Sequence, residues 1–241
     1  MHQPQTVVIT GAGGGLGLEI LRLVLGKSDV KLVFTYSTKP EEYFLGEDIF
    51  RQSILSGKLH HRQMDFSQPF NTIEDFVPPQ LKHSRPTPMI IINNAGLLQL
   101  NKPGEIDIDS ARLMFEVNFW AAVKLTYALI PYIQSGSHIV NIGSMGGVQG
   151  SSKFPGLSFY SASKGALAIW SESLASELAG SRIAVNCLAL GSVETKMLQQ
   201  AFPGYIASNT AAEMAEFIVH FAFQAHQIIS GKTLPVARTT P

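Results

Sequence analysis

Val7-Val8-Ile9-Thr10-Gly11-Ala12-Gly13-Gly14-Gly15-Leu16-Gly17 is the stretch that decides how the rest of the chain is read. A β-branched, strand-forming run breaks into glycines, and a helical pattern follows over 15–26. Glycine lets the backbone come close to a ligand, and a helix N-terminus presents unpaired N–H groups to an anion. Strand, glycine turn and helix in this order therefore suit a pyrophosphate. The spacing is T-G-x-x-x-G-x-G rather than G-x-G-x-x-G, and an ordinary tight strand–helix turn is the plainer alternative.

The same alternation continues downstream. Apolar runs at 7–10, 31–36, 59–64, 89–93, 138–142, 182–188 and 233–236 read as strands. They are continuous rather than alternating in polarity, as in strands covered on both faces. Helical patterns occupy 72–82, 109–133, 159–179 and 211–226, and Pro40 with Glu41-Glu42 suggests a helix start in the less regular 37–58 stretch. Strands alternating with helices predict an α/β, Rossmann-type, doubly wound parallel sheet of about seven strands, with helices on both faces. No repeat or Pro/Ser linker divides residues 1–241, so one domain is expected, with a short lid over 197–210.

Composition narrows the partners. With 18 basic and 18 acidic residues the formal net charge is zero, which gives no electrostatic footprint for nucleic acid. The charged fraction of 15% is low, as a large core or surface buried against other subunits would make it. Cys187 is the single cysteine, so no intrachain disulfide forms; in its apolar run it reads as a buried structural thiol. Residues 125–152 lack Asp, Glu, Lys and Arg, but proline and glycines interrupt them, so no membrane span is expected. The opening Met1-His2-Gln3-Pro4-Gln5 has neither a basic nor an apolar leader pattern, and a cytoplasmic protein is the expectation. The seven histidines are scattered without ligand spacing, so no metal site is expected.

The second strand ends Phe34-Thr35-Tyr36-Ser37-Thr38-Lys39, with no carboxylate before Glu41. A free ribose 2′-hydroxyl usually meets an acidic residue there, whereas Ser37 and Lys39 suit a 2′-phosphate. NADP(H) is thereby favoured over NAD(H).

Tyr160 and Lys164 stand four residues apart in an apolar-patterned helical segment, which places both side chains on one face. A nearby ammonium stabilises a phenolate and lowers the tyrosine pKa, bringing the group nearer to useful proton transfer. Ser144 follows the strand 138–142 at its carboxyl end, where open α/β sheets place ligands.

These residues together resemble the classical short-chain dehydrogenases/reductases. The matching motifs are Thr10 to Gly17 for the glycine turn, Asn93-Asn94-Ala95-Gly96, Asn118, Ser144, and Tyr160 with Lys164, and the resemblance extends over about 7–236. It implies an oxidoreductase that moves a hydride between NAD(P)(H) and a small-molecule carbonyl or alcohol. Tyr160 would be the general acid or base, Ser144 would hydrogen-bond the substrate oxygen, and Lys164 would lower the Tyr160 pKa and hold the nicotinamide ribose. Asn118 would position Lys164 through an ordered water. The cofactor would lie against Gly11, Gly15, Leu16 and Gly17, with Asp65 and Phe66 near the adenine. Asn94, Ala95 and Gly96 would contact its ribose, and Val193 with Thr195 the carboxamide. A homodimer or homotetramer through the helices 109–133 and 159–179 is also implied.

Three departures stand out. Leu190-Gly191 replaces the family's Pro-Gly, and the tail 236–241 lacks the common Asp-Gly-Gly ending. The Ser144 to Tyr160 stretch is about three residues longer than usual, with Ser151-Ser152-Lys153 as the extra segment. Other chemistries fit less well. Ser161-Ala162-Ser163-Lys164 satisfies S-x-x-K, but neither Ser-Asp-Asn nor Lys-Thr-Gly accompanies it. A non-catalytic dinucleotide sensor or scaffold on the same fold is the remaining alternative, since fold does not fix function.

Overall fold

The computed structural model of the protein describes residues 5–68, 72–102, 104 and 107–238. Residues 1–4 and 239–241, on which the leader and tail readings bear, lie outside them. β1 (Gln5–Thr10) leads through the glycine turn into α1 (Gly15–Leu25) and β2 (Val30–Ser37). The irregular 37–58 stretch resolves into α2 (Glu41–Phe44) and α3 (Asp48–Leu55), before β3 (Leu59–Gln63) and β4 (Met89–Asn93). A long helical stretch follows: α4 (Ile108–Phe115), one π-helical turn (Glu116–Trp120) and α5 (Ala121–Leu129). The chain continues with β5 (His138–Ser144), α6 (Ser158–Glu177), β6 (Ala184–Leu190), β7 (Val193–Glu194) and α7 (Lys196–Ala201). It closes with β8 (Asn209–Thr210), α8 (Ala211–Gln224) and β9 (Lys232–Val236).

Seven parallel strands pair in the order β3-β2-β1-β4-β5-β6-β9. Strand order reverses between β1 and β4, which opens a crevice at their carboxyl ends. The continuous apolar runs are explained by two cores. Val7, Ile9, Ile90, Ile92, Val140 and Leu188 face one side, against Leu21 of α1 and Met214 and Ile218 of α8. Val8, Ile91, Ile139 and Val185 face the other, against Leu125 and Leu129 of α5 and Leu174 of α6. Alternate residues of each strand thus enter different cores, and none needs to be polar. Inside the second layer a buried polar ladder runs between strands and helix: Asn93 Nδ2 donates to Asn141 Oδ1 at 2.7 Å, and Asn141 Nδ2 to Ser171 Oγ at 2.8 Å, while Asn93 Oδ1 is left without a partner.

The helix expected over 72–82 does not form. A single 3-10 turn, Ile73–Phe76, is held by reciprocal bonding between Thr72 and Asp75. Pro78 and Pro79 then remove the next amide donors and exclude the helical conformation for their predecessors. The last β6 residue is Leu190 rather than Leu188, and its start shifts to Ala184 because Arg182 takes a left-handed turn at φ 52°. β7 and β8, absent from the sequence reading, pair Val193 with Asn209 and Glu194 with Thr210. They tie together the two ends of the segment expected as a lid.

Candidate active site

Thr10 closes β1 at the crevice. Its Oγ1 accepts the backbone N–H groups of Asn94 at 3.0 Å and Ala95 at 2.9 Å. Asn94 Nδ2 in turn donates to Thr10 O at 3.0 Å and Gly11 O at 3.3 Å, stapling the end of β4 to the glycine turn. Gly11 sits at φ +69°, with Ala95 Cα 2.8 Å from where a Cβ would be. A Cβ on Gly17 would lie 2.2 Å from Gly11 O, and that backbone oxygen cannot yield. α1 begins at Gly14 with no side-chain cap and no acidic residue in its first turn. Its first N–H groups are therefore free for an anion.

A cleft of about 210 Å³ opens beside this turn. Gly11, Gly13 and Gly14 form one wall, Ser37 and Thr38 the end of β2, and Met64, Asp65 and Phe66 the segment after β3. Ala95, Gly96 and Val117 complete it. Of the residues singled out for the cofactor, the cleft brings together Gly11, Ser37, Asp65, Phe66, Ala95 and Gly96. Lys39 stands at its edge: a Cβ on Gly13 would lie 2.8 Å from Lys39 Cγ and 3.1 Å from Ser37 Oγ. Ser37 Oγ also accepts the Lys39 backbone N–H at 3.2 Å. Asp65 is exposed, and hydrogen bonds from Ser67 hold its carboxyl below the usual range.

Other residues of the same set take different places. The Asn94 amide is committed to the turn. Leu16 and Val193 pack in the first core. Gly15 faces Thr195, whose Cγ2 would be 3.6 Å from a Cβ there, while Thr195 Oγ1 caps α7 through Leu198 N at 3.3 Å. Met64 and Val117, which line the cleft, were missed by sequence reasoning. Their only signal is adjacency to Asp65 and Asn118, since an apolar side chain carries no chemistry of its own.

The second cluster lies further along the strand ends. Ser144 is the last residue of β5, and Gly146 N–H donates to its Oγ at 3.2 Å. Tyr160 and Lys164 lie one turn apart on α6. Lys164 is only 4% exposed, and its Nζ donates to Ile142 O at 2.8 Å. Among the described residues no carboxylate pairs with it. Burial pushes its pKa down to about 8. The Tyr160 hydroxyl moves the other way from expectation: burial raises its pKa, and a hydrogen bond with Ser144 offsets this only in part. Desolvation disfavours the charged form of each group, and it is the largest cause of both shifts.

Asn118 sits in the π-helical turn, buried. Such turns recur at functional sites because they re-aim one side chain out of helical register. Its Oδ1 accepts Leu97 N at 2.6 Å, and its Nδ2 donates to Leu97 O and to Ser163 Oγ, both at 2.9 Å. Ser163 Oγ in turn donates to Tyr160 O at 2.8 Å. Ser163 was missed because its hydroxyl acts on backbone, which no spacing rule reveals. Gly96 joins the two clusters. A Cβ on it would lie 3.5 Å from Asn118 Oδ1 and 3.6 Å from Lys164 Nζ, and the same residue lines the cleft. Cys187 is fully buried and its thiol is pushed up to about 11, mainly by burial, as a structural thiol requires.

Glycines that admit no Cβ, free N–H groups at α1 and a hydroxyl–lysine edge fit a dinucleotide diphosphate. Comparison with known proteins agrees. The family model described as short chain dehydrogenase matches residues 5–205. Benzil reductase ((S)-benzoin forming) of Saccharomyces cerevisiae is 27% identical over 80% of this chain and 73% of its own length. The NADP-dependent 3-hydroxy acid dehydrogenase of Schizosaccharomyces pombe is 30% identical over 83% of this chain and 76% of its own. A short chain dehydrogenase from Burkholderia cenocepacia, solved in complex with NADP, superposes with a TM-score of 0.80 at 22% identity, covering 98% and 97% of the two chains.

Proposed function

The chain belongs to the short-chain dehydrogenase family of oxidoreductases, and from that premise we propose that it reduces a small-molecule carbonyl with NADPH, Tyr160 giving the proton. The observation that carries this reading is Lys164: a buried ammonium without a carboxylate, one turn from Tyr160 and against the glycine that floors the dinucleotide cleft. A packed structural lysine would have a counter-ion or reach solvent.

Bound in the cleft, the nicotinamide dinucleotide supplies the hydride. Ser144 Oγ accepts the Gly146 N–H and lies in hydrogen-bond contact with the Tyr160 hydroxyl, so a substrate oxygen bonded to Tyr160 would be within its reach. Burial keeps the Tyr160 phenol protonated at neutral pH, which is the form that reduction consumes. Its O–H would give its proton to the carbonyl oxygen of a substrate that takes the cofactor's hydride at carbon, which would leave the alcohol. Lys164, one helical turn along α6 and still charged near neutrality, would stabilise the phenolate left behind until a proton returned. Asn118 and Ser163 fix the helical turn that carries Tyr160. Oxidation of an alcohol needs the phenolate, so that direction gains with rising pH.

For the cofactor, Ser37 and Lys39 offer a hydroxyl and a cation to a 2′-phosphate, and the fission-yeast relative is named as NADP-dependent. We also propose a cytoplasmic homodimer or homotetramer. Trp120, Tyr127 and Ile169 are 46%, 43% and 65% exposed on the neighbouring helical stretches that the resemblance assigns to subunit contact. The stretch Ile108–Tyr132 is long and apolar enough to cross a bilayer, but it packs on the sheet and turns this apolar face outward for a second copy. The test is a fluorescence titration with NADPH and NADH, followed by NADPH oxidation with 2,3-butanedione. NADPH binds more tightly, and Tyr160→Phe keeps binding while losing turnover. Binding of neither nucleotide, or near-normal turnover in Tyr160→Phe, refutes the reading.

A further inference from the structure

Ser144 and Leu190 pair at the ends of β5 and β6, so the segments that follow these strands rise on either side of Ser144. β4, next to β5, sends a third segment over the same ground. These three segments meet through apolar contacts. Leu100 packs on Gly156, where a Cβ would lie 3.3 Å from Leu100 Cδ2, and Asn101 N–H donates to Gly156 O at 3.0 Å. Phe154 meets Phe202, at the end of α7, edge to face, with ring centroids 6.4 Å apart and planes at 62°. Leu100 and Phe154 are each 48% exposed, too open for core residues.

Both phenylalanines are held from behind. The residues that lengthen the Ser144 to Tyr160 stretch fold back on it: Ser151 Oγ donates to Met145 O at 2.5 Å, and Lys153 Nζ to Val148 O at 2.6 Å. This turn presents Phe154 to the opposite segment. Across the gap, the Glu194 carboxylate accepts Gln199 Nε2 at 2.7 Å and Ala207 N at 3.3 Å, which anchors the stretch carrying Phe202. The ammonium of Lys153 and the carboxylate of Glu194 are thus engaged within their own segments, and the side chains that meet between the segments are Leu100, Phe154 and Phe202.

We infer that Phe154 and Phe202 form an aromatic clasp over the Ser144–Tyr160 pair, selecting bulky uncharged carbonyl compounds with an aryl or branched alkyl arm over short or carboxylate-bearing ones. The inference rests on the reductase reading and names its substrate class. Aromatic faces hold such an arm by area and edge-to-face contact, whereas a carboxylate would lose water there without a partner.

The experiment measures kcat/KM with NADPH for 1-phenyl-1,2-propanedione, 2,3-butanedione and acetoacetate in the wild type, Phe154→Ala, Phe202→Ala and the milder Phe202→Leu. The aryl diketone is the best of the three, and each alanine variant loses roughly tenfold or more on it while butanedione changes little. Calorimetric titration of 1-phenylethanol into the NADPH complex shows a parallel weakening in the alanine variants. Acetoacetate as the best substrate, or equal losses on both diketones, overturns the clasp. If butanedione is reduced through Tyr160 and the aryl diketone is not, only the clasp falls. If none of the three is reduced, the reductase reading falls and takes the clasp with it.

Discussion

Acid should unfold this protein through one residue, His138. It opens β5 with no solvent exposure, and its ring is fixed by two hydrogen bonds. Nδ1 lies 2.9 Å from Ala222 O and must donate to it. Nε2 lies 2.9 Å from Asn186 Nδ2. The Asn186 amide cannot be reversed, because its Nδ2 also donates to Ile229 O at 2.9 Å and its Oδ1 receives Lys232 N–H at 3.2 Å. Nε2 is therefore an acceptor, and the ring is neutral. A proton on Nε2 would face the amide hydrogens, and the ring of His226, centroid 5.7 Å away, adds like-charge repulsion. Burial, the largest cause, and this repulsion push the His138 pKa from 6.5 to about 4.

Because the folded value is depressed, the unfolded chain takes up the proton first as pH falls. Stability is then lost between about pH 6.5 and about pH 4, and regained on raising the pH. A gap of about 2.5 units at about 1.4 kcal/mol each amounts to about 3 kcal/mol, of which about 2 kcal/mol is lost by about pH 5. That is a large share of a typical domain stability of about 5–15 kcal/mol. Urea unfolding at fixed protein concentration across this window measures it. His138→Gln, whose amide accepts from Asn186 but binds no proton, supplies the control. The wild-type midpoint should fall with acid more steeply than that of the variant. His61, also depressed chiefly by burial, contributes equally to both and cancels. Parallel curves for the two proteins would falsify the assignment of His138 as the acid-labile group.

Gly17→Ala places a Cβ 2.2 Å from a backbone oxygen, so it should cost about 2–4 kcal/mol in urea unfolding and abolish nucleotide binding. Wild-type-like binding by this variant contradicts the close-packed turn. Lys39→Ala should raise the NADPH Kd roughly tenfold and leave that of NADH unchanged, by fluorescence titration. Equal shifts for both nucleotides would remove Lys39 from the 2′-phosphate site. Ile169→Asp should shift light-scattering mass toward the monomer, since a charge enters an apolar contact; an unchanged mass moves the interface elsewhere. Lys164→Met should unfold at equal or higher urea while losing turnover, and a clear loss of stability would mean that Lys164 holds the fold.

How much was legible depends on where the physics resides. Two-faced burial leaves every strand residue apolar, so the run Met89-Ile90-Ile91-Ile92 announced a central parallel strand from composition alone. The glycine turn was legible because close approach excludes every side chain at Gly11 and Gly17. The Tyr160–Lys164 spacing was legible because helix geometry needs no tertiary context. The stretch 72–82 misled because its periodic apolar residues serve as caps on the core, while Pro78 and Pro79 forbid the helix that the pattern suggests. The Asn94 side-chain amide also meets backbone carbonyls of β1 and the turn, a role that spacing does not reveal because a backbone carbonyl has no letter in a sequence. The Tyr160 shift was misjudged for a related reason: spacing reveals the neighbouring charge, whereas desolvation depends on the whole packed surround.

Lys164 shows why such a site is retained at a cost. Lowering its pKa from 10.5 to about 8 means that carrying the charge at neutral pH costs about 3 kcal/mol relative to water. Among the described residues, the Ile142 carbonyl is the one hydrogen-bond partner that compensates. A residue of similar length without charge, such as methionine, would fill the space between β5 and α6 without that penalty. The cost is confined to the point where the dinucleotide cleft, through Gly96, meets the Ser144–Tyr160 pair. In the reaction proposed above an ammonium there has a use, because negative charge would develop beside it on Tyr160 once the proton had moved to the substrate. The opposite shifts of the two groups follow from the same dry surround, and that surround strengthens their attraction once both are charged. On the proposed mechanism, stability given up in the protein alone would be recovered at the step where the phenol releases its proton.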